Sequence, residues 1–253
     1  MVPWIVLALY LTYAIALNVA LRRAGLPLRA PPPPLETVRP PITRVLVIGA
    51  TGGTGRELVR QALARGMTVT ALVRQPRRLG ITDPKLCEVV GNILDAATVE
   101  AAVEGQQAVL CALGHKRFLG PSRILSDGTW HLVGAMERHG VRRLVCETSL
   151  GVGHSAFRLG LYYTLFVIPV ILPFYYWDKT VQEMELAESS LQWIIVRPGV
   201  LTNGAARGTV RHGEMVGSYL LTRRVSRADV AGFMLDQLTS DQYLRRAVGV
   251  VGR

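Results

Sequence analysis

VLVIGATGGTG, residues 45–55, is the stretch that decides the fold. Residues 45–48 are apolar throughout, as a short central strand of a parallel sheet should be. A glycine-rich turn follows: Gly49, Ala50, Thr51, Gly52, Gly53, Thr54 and Gly55. Residues 56–65 (RELVRQALAR) then put Leu58, Val59, Ala62 and Leu63 on one helical face. Residues without Cβ let the backbone turn tightly and approach a phosphate. The helix N-terminus adds free N–H groups and the positive end of a dipole. Strand, turn and amphipathic helix in this order predict a site for the pyrophosphate of a dinucleotide.

Working outward, residues 68–73 form a second strand ending at Arg74, with Arg77 and Arg78 close behind. An acidic residue at this strand end would bond the ribose hydroxyls, whereas a basic one pairs with a 2′-phosphate, so Arg74 predicts NADP(H) as the cofactor. Arg77 and Arg78 either assist or are ordinary surface arginines. A third strand, 86–90, leads to Asn92, placed to approach the adenine, and to Asp95, the N-cap of a helix over 96–103. A fourth strand, 108–113, ends at Gly114, which keeps the space beside the ribose clear, and His115, Lys116 and Arg117 follow it. A helix over 125–139 precedes a fifth strand, 144–148, that ends at Ser149. A helix over 179–189 shows Glu183, Glu185 and Glu188 on polar faces, and strand six is 192–196. Ser226 caps a helix over 227–238, and 247–251 reads as a last edge strand. Alternation on this scale indicates an α/β fold: a single doubly wound, parallel-sheet Rossmann domain over 42–253.

The chain has 253 residues, with 29 Lys and Arg against 18 Asp and Glu, a formal charge of +11. The excess is arginine spread along the chain, without a basic run interleaved with aromatics, so nucleic acid is not the expected partner. Cys87, Cys111 and Cys146 are odd in number and far apart, which fits neither a disulfide framework nor a zinc site and suggests small buried hydrophobes. The histidines have no ligand-like spacing, and no metal is expected.

Residues 3–21 (PWIVLALYLTYAIALNVAL) carry no charge and would extend about 28 Å as a helix, close to the thickness of a bilayer's hydrocarbon core. Arg22, Arg23 and Arg29 follow it. Residues 1–23 are therefore expected to be a single transmembrane anchor with the C-terminal domain on the cytoplasmic side, ahead of a signal or transit peptide or a helix packed on a soluble domain. Residues 24–41, with Pro31 to Pro34 and Pro40-Pro41, read as an extended proline-rich linker. A second uncharged run, 159–177 (LGLYYTLFVIPVILPFYYW), has aromatics at both ends, and Pro169 and Pro173 argue against one continuous helix. The expected role is a membrane-facing lid on the substrate side. A buried helix pair, a dimer surface and a second span stay open.

The stretches GATGGTG (49–55), TALVR (70–74), VVGNILD (89–95), VLCALG (109–114), RLVCETSLGVG (143–153), LQWIIVRPG (191–199) and VSRADVAGFML (225–235) resemble the atypical short-chain dehydrogenases. The resemblance is to the NAD(P)-binding, NmrA-like branch that includes biliverdin-IXβ/flavin reductase. It implies NADPH binding and, in enzymatic members, hydride transfer to flavins, tetrapyrroles or quinones; other members bind the dinucleotide as regulators or assembly factors. It assigns Thr51, Gly53 and Thr54 to the pyrophosphate, Arg74 to the 2′-phosphate and Ser149 to the nicotinamide side. Arg197, Pro198 and Gly199 would close over the cofactor. Asn92 departs from the family pattern, which has aspartate there.

Ordinary short-chain dehydrogenases use a serine with Tyr-x-x-x-Lys, and Tyr175 and Lys179 have that spacing downstream of Ser149. A triad of the three is one reading. Aromatics belting an apolar segment, or Lys179 alone on the cofactor, are the others. His115 and His154 are further candidate proton donors or plain second-layer residues. The expected function is membrane-anchored, NADPH-dependent reduction of a lipophilic small molecule. A non-catalytic dinucleotide-binding scaffold and dehydrogenase or epimerase chemistry on Tyr175 and Lys179 are the alternatives. A homodimer or a protein partner is compatible with either of the first two.

Overall fold

A computed structural model describes residues 2–27, 41–118 and 120–253. Most of the expected linker therefore lies outside the described residues. Six strands form a parallel sheet: β1 (Arg44–Ile48), β2 (Thr68–Val73), β3 (Leu86–Val90), β4 (Ala108–Cys111), β5 (Arg143–Glu147) and β6 (Gln192–Pro198). After the short β7 (Leu201–Thr202) come β8 (Val210–Gly213), β9 (Val225–Ser226) and β10 (Ala247–Gly252). The main sheet runs β3-β2-β1-β4-β5-β6-β10-β8, with β7 and β9 paired apart. The order reverses at β1, which pairs in parallel with β2 through Val45–Val69 and with β4 through Val45–Ala108. In doubly wound sheets the ligand crevice opens outside the strand ends at this switch point. The strand at 247–251, expected at the edge, is internal: β10 lies between β6 and the antiparallel β8. Its run of apolar residues suits burial on both faces.

Helices α1 (Val2–Ala24), α2 (Gly53–Ala64), α3 (Ala96–Val103), α4 (Ile124–Arg138), α5 (Pro173–Glu188) and α6 (Arg227–Asp236) complete the fold. Strand side chains alternate between two cores. Val45, Val47, Val145 and Ile194 pack with α2 and α6. Leu46, Ile48, Cys111 and Cys146 pack with α3 and α4. Cys111 and Cys146 are buried as expected, but Cys87 is exposed. Asp95 caps α3, accepting from the Ala97 amide. Ser226 caps α6, accepting from the Asp229 amide. Asp178 of α5 caps α4 from outside it, its two oxygens accepting from the Leu125 and Ser126 amides.

The uncharged run 159–177 divides as its prolines demand. A π-helical segment, Tyr163–Ile171, contains Pro169, and α5 starts at Pro173, where a missing N–H costs nothing. Pro169 has no N–H to give to Thr164 or Leu165, the acceptors that π or α geometry would assign it. Side chains of α1 donate to both of these carbonyls, and to that of Pro169 besides. Asn18 Nδ2 donates to Thr164 O at 2.9 Å, Tyr10 Oη donates to Leu165 O, and Tyr13 Oη donates to Pro169 O at 3.1 Å. By length and composition α1 suffices to cross a membrane. Its C-terminal half is also part of the domain: Ala14, Asn18 and Leu21 are wholly buried, and Leu21 shares a cluster with Leu150, Ile168 and Tyr176. Leu26 continues the contact, accepting from the His154 amide.

Glu183, expected on a polar face, is fully buried, because α5 turns that side toward Thr148, just past β5, and Arg197 of β6. Arg197 meets it in a bidentate pair, Nε to Oε1 at 2.9 Å and Nη2 to Oε2 at 2.5 Å, and the Thr148 hydroxyl donates to Oε1 at 2.6 Å. Burial, and then the Arg197 guanidinium 3.2 Å away, push His154 down to about 4. The folded state thus binds this proton less readily than the unfolded chain. Its stability should be level above the ordinary histidine value near 6.5 and should fall as the pH drops from there toward 4. Replacing His154 with Asn should flatten that decline in thermal melts across the window. Asn18→Ala strands a buried carbonyl and should cost about 1–3 kcal/mol in melts of the full chain in detergent. Thr12→Ala, which removes an exposed bond to Ala8 O, should cost little. Equal effects of the two would show that α1 is not integral to the fold.

Candidate functional site

The loop at the end of β1 is built by steric exclusion. Gly49 has φ +75°, and a Cβ on it would stand 2.3 Å from Ala112 O at the end of β4. A Cβ on Gly55 would stand 2.1 Å from Gly49 O, so only glycine lets the first turn of α2 press onto the loop. The helix begins at Gly53, earlier than the apolar pattern suggested, and its N-cap Gly52 offers no side chain to its first amides. That turn therefore presents N–H groups and a helix dipole to the crevice, as a pyrophosphate requires. Thr51 lies in the loop, half-buried. Thr54 is buried, and its hydroxyl donates to Glu147 Oε1 at 3.0 Å.

Arg74 stands exposed just after β2, where a 2′-phosphate would lie. Asn92 is also exposed, and its Oδ1 accepts from the Leu94 amide at 3.2 Å, shaping the turn before α3. Pro198 ends β6, and its carbonyl accepts from the Leu150 amide at 2.9 Å.

Gly114, Ser149, Tyr175 and Lys179 gather where β4 and β5 end. The Tyr175 hydroxyl comes within 3.6 Å of where a Cβ on Gly114 would be. The ring of Tyr175 packs edge-on against His115 and Phe118, with centroids 5.0 and 5.9 Å away. The hydroxyl beside Ser149, however, belongs to Tyr176: the two oxygens are 3.0 Å apart, and Tyr176 also donates to Leu150 O at 3.1 Å. The Tyr175-Tyr176 pair is ambiguous by one position in sequence, and the phase of α5 decides which ring faces β5.

Lys179 is buried, with Nζ 5.8 Å from the centre of the Tyr175 ring. It donates to Leu113 O at 3.1 Å, Glu147 O at 3.0 Å and Gln182 Oε1 at 3.1 Å, which uses all three ammonium protons. Burial pulls its pKa down, but Tyr175, Cys146 and Glu147 around it outweigh this and leave it raised. Glu147 was missed in the sequence, although a lone acid in an apolar strand was a visible signal. Burial raises its pKa against the opposing pull of Lys179, Thr54 and Arg227. Burial lowers His115, more than the nearby Asp178 carboxylate raises it, so its imidazole is neutral at neutral pH. His154 is remote from this chemistry, engaged with Leu26 and Arg197. No group of three or more metal-ligating side chains occurs among the described residues.

Comparison with known proteins bears on the family and the fold. The profile of a family described as NAD(P)H-binding matches residues 49–241. An uncharacterized chloroplastic protein of Arabidopsis thaliana is 30% identical over 225 residues, covering 83% of this chain and 77% of that protein. The Photosystem II assembly factor Ycf39 of Synechocystis is 34% identical over 105 residues, covering 40% of this chain and only 32% of its own length. Among solved structures, the anaerobilin reductase ChuY of Escherichia coli O157:H7 superposes with a TM-score of 0.68 at 23% identity, covering 83% of this chain and 97% of its own. A short-chain dehydrogenase/reductase of Veillonella parvula, solved with NADP, gives 0.67 at 18% identity, covering 83% and 94%. From its glycine turn to its last helix, then, the chain belongs to the NAD(P)H-binding family on a Rossmann-type sheet.

Proposed function

We propose that this protein is a membrane-anchored, NADPH-dependent oxidoreductase that reduces a lipophilic or aromatic acceptor such as a quinone or a flavin. The observation that carries this reading is the convergence of Gly114, Ser149 and Tyr175 at the exits of β4 and β5. There Tyr175, Tyr176 and Leu150 share one apolar cluster with Leu17 and Leu21 of α1. The chemistry at the nicotinamide end thus adjoins the element suited to a bilayer. Tyr162, Phe166, Val170, Phe174 and Trp177 are large and exposed on the same uncharged run. Their exposure supports a membrane-facing entrance rather than a buried helix pair. Arg22 and Arg23 at the end of α1 support the cytoplasmic side for the domain.

A reduced nicotinamide held at the exits of β4 and β5 would supply the hydride. The chain supplies position and a proton. Tyr175, half-buried beside Gly114, presents a phenol to the acceptor, with the His115 and Phe118 rings walling one side. Tyr176 fixes the Ser149 hydroxyl. Lys179 holds the strand ends, and with its protons all engaged it is poorly suited to gripping the ribose. That weighs against dehydrogenase or epimerase chemistry built on a Tyr175–Lys179 pair. Arg74 at the end of β2 supports the phosphorylated dinucleotide.

A second reading is a non-catalytic NADP(H)-binding scaffold or assembly factor. It is favoured by the same engaged Lys179 and by a relative that bears the name of an assembly factor. The test is NADPH oxidation by the full chain in detergent with quinone, flavin and aldehyde acceptors. The reductase reading expects oxidation by a quinone or flavin and a fall of about 100-fold in turnover for Tyr175→Phe at unchanged NADPH affinity. Arg74→Ser should weaken NADPH about 10-fold and leave NADH unaffected. Tight NADPH binding with no oxidation by any acceptor would overturn the reductase and leave the scaffold.

A further inference from the structure

We propose that Arg227, the first residue of α6, grips the pyrophosphate of the bound dinucleotide from across Gly53. The proposal rests on the cofactor site described above and adds to it a residue from the far end of the chain. Helix α6 lies beside α2 on one face of the sheet, tied to it by Gln61 Nε2 donating to Ala228 O at 2.9 Å. The Arg227 side chain leaves the start of α6 and crosses the first turn of α2. Its Cδ and Nε stand 2.4 and 2.6 Å from where a Cβ on Gly53 would be.

This contact explains Gly53. The residue is absent from the positive-φ positions, so backbone conformation alone does not call for glycine there. A Cβ there would have to displace the outer part of the arginine side chain from its place over the turn. Nη1 donates to Asn203 Oδ1 at 2.6 Å, which steadies the head group at the rim of the crevice. A guanidinium has five N–H donors in a planar fork, and this bond takes one.

Electrostatics call for a cation at this point. The buried Glu147 carboxylate lies below the same turn, and it takes the Thr54 hydroxyl that would otherwise face a phosphate. A doubly charged pyrophosphate brought over the loop would meet that carboxylate with one donor missing. Arg227, half-exposed above the turn, lies close enough to Glu147 to oppose the rise that burial gives its pKa, and a guanidinium there can offset the charge of a phosphate.

The experiment is calorimetric titration of the full chain in detergent with NADPH and, separately, with adenosine 2′-monophosphate, which has no pyrophosphate. Arg227→Gln should weaken NADPH about 10- to 100-fold and flatten the salt dependence of its binding, while leaving the monophosphate unchanged. Arg227→Lys should fall between the two. Asn203→Asp, which leaves Arg227 in place but gives it a competing carboxylate, should weaken NADPH in the same selective way even if Arg227→Gln folds poorly. NADPH affinity within twofold of wild type in both Arg227→Gln and Asn203→Asp would overturn the proposal. So would equal weakening of both ligands, which marks a structural role. Failure of the unaltered chain to bind either ligand would instead remove the cofactor site itself.

Discussion

A single buried ammonium holds the two halves of the crevice in register. Lys179 reaches from α5 to the carbonyls of Leu113, just past β4, and Glu147, at the end of β5, with Gln182 as its third acceptor. A charge this deeply buried is tolerable only when every donor is satisfied. The geometry that satisfies it also sets the neighbours. It brings Tyr175 over Gly114, turns Tyr176 toward Ser149 and keeps Asp178 at the head of α4. The spacing that looks catalytic in sequence is here also the spacing that locks strand exits together.

The second constraint is the one Pro169 imposes. A proline inside a helical segment leaves a carbonyl without its donor, and in a low-dielectric surrounding that deficit has to be made up by side chains. Asn18 and Tyr10 make it up, and Tyr13 bonds the carbonyl of Pro169 itself. An apolar N-terminal helix that needed only to anchor would have no use for three donors along one face. Their presence ties α1 to the uncharged segment that precedes α5.

Much of the architecture was legible because it follows from local rules. The strands of the parallel sheet are apolar runs bounded by turns, α3 and α6 start at caps, and the glycine turn has steric requirements that few other loops share. What was misread depended on partners distant in sequence. β10 is internal because β8 returns antiparallel beside it. Glu183 is buried because Arg197, fourteen positions away, neutralises it. The buried Glu147, which meets the Thr54 hydroxyl across 93 positions, was not anticipated. Helical phase, invisible within the pair Tyr175-Tyr176, chose the partner of Ser149.

By itself, the sequence determined that a strand, a tight glycine turn and a helix N-terminus meet at residues 45–55, and so that a dinucleotide's phosphates have a place to sit. Steric exclusion at Gly55, whose Cβ would meet Gly49 O, acts over a few residues and needs no knowledge of the rest of the chain, whereas the exclusion at Gly49 comes from Ala112 across the sheet. Only the tertiary structure decided which side chains surround that place. It put Arg227 over Gly53, Glu147 beneath Thr54, and α1 against Pro169 and the far wall of the crevice. Those contacts are made between surfaces more than ninety residues apart, and their energy lies in burial and charge pairing that no local pattern records.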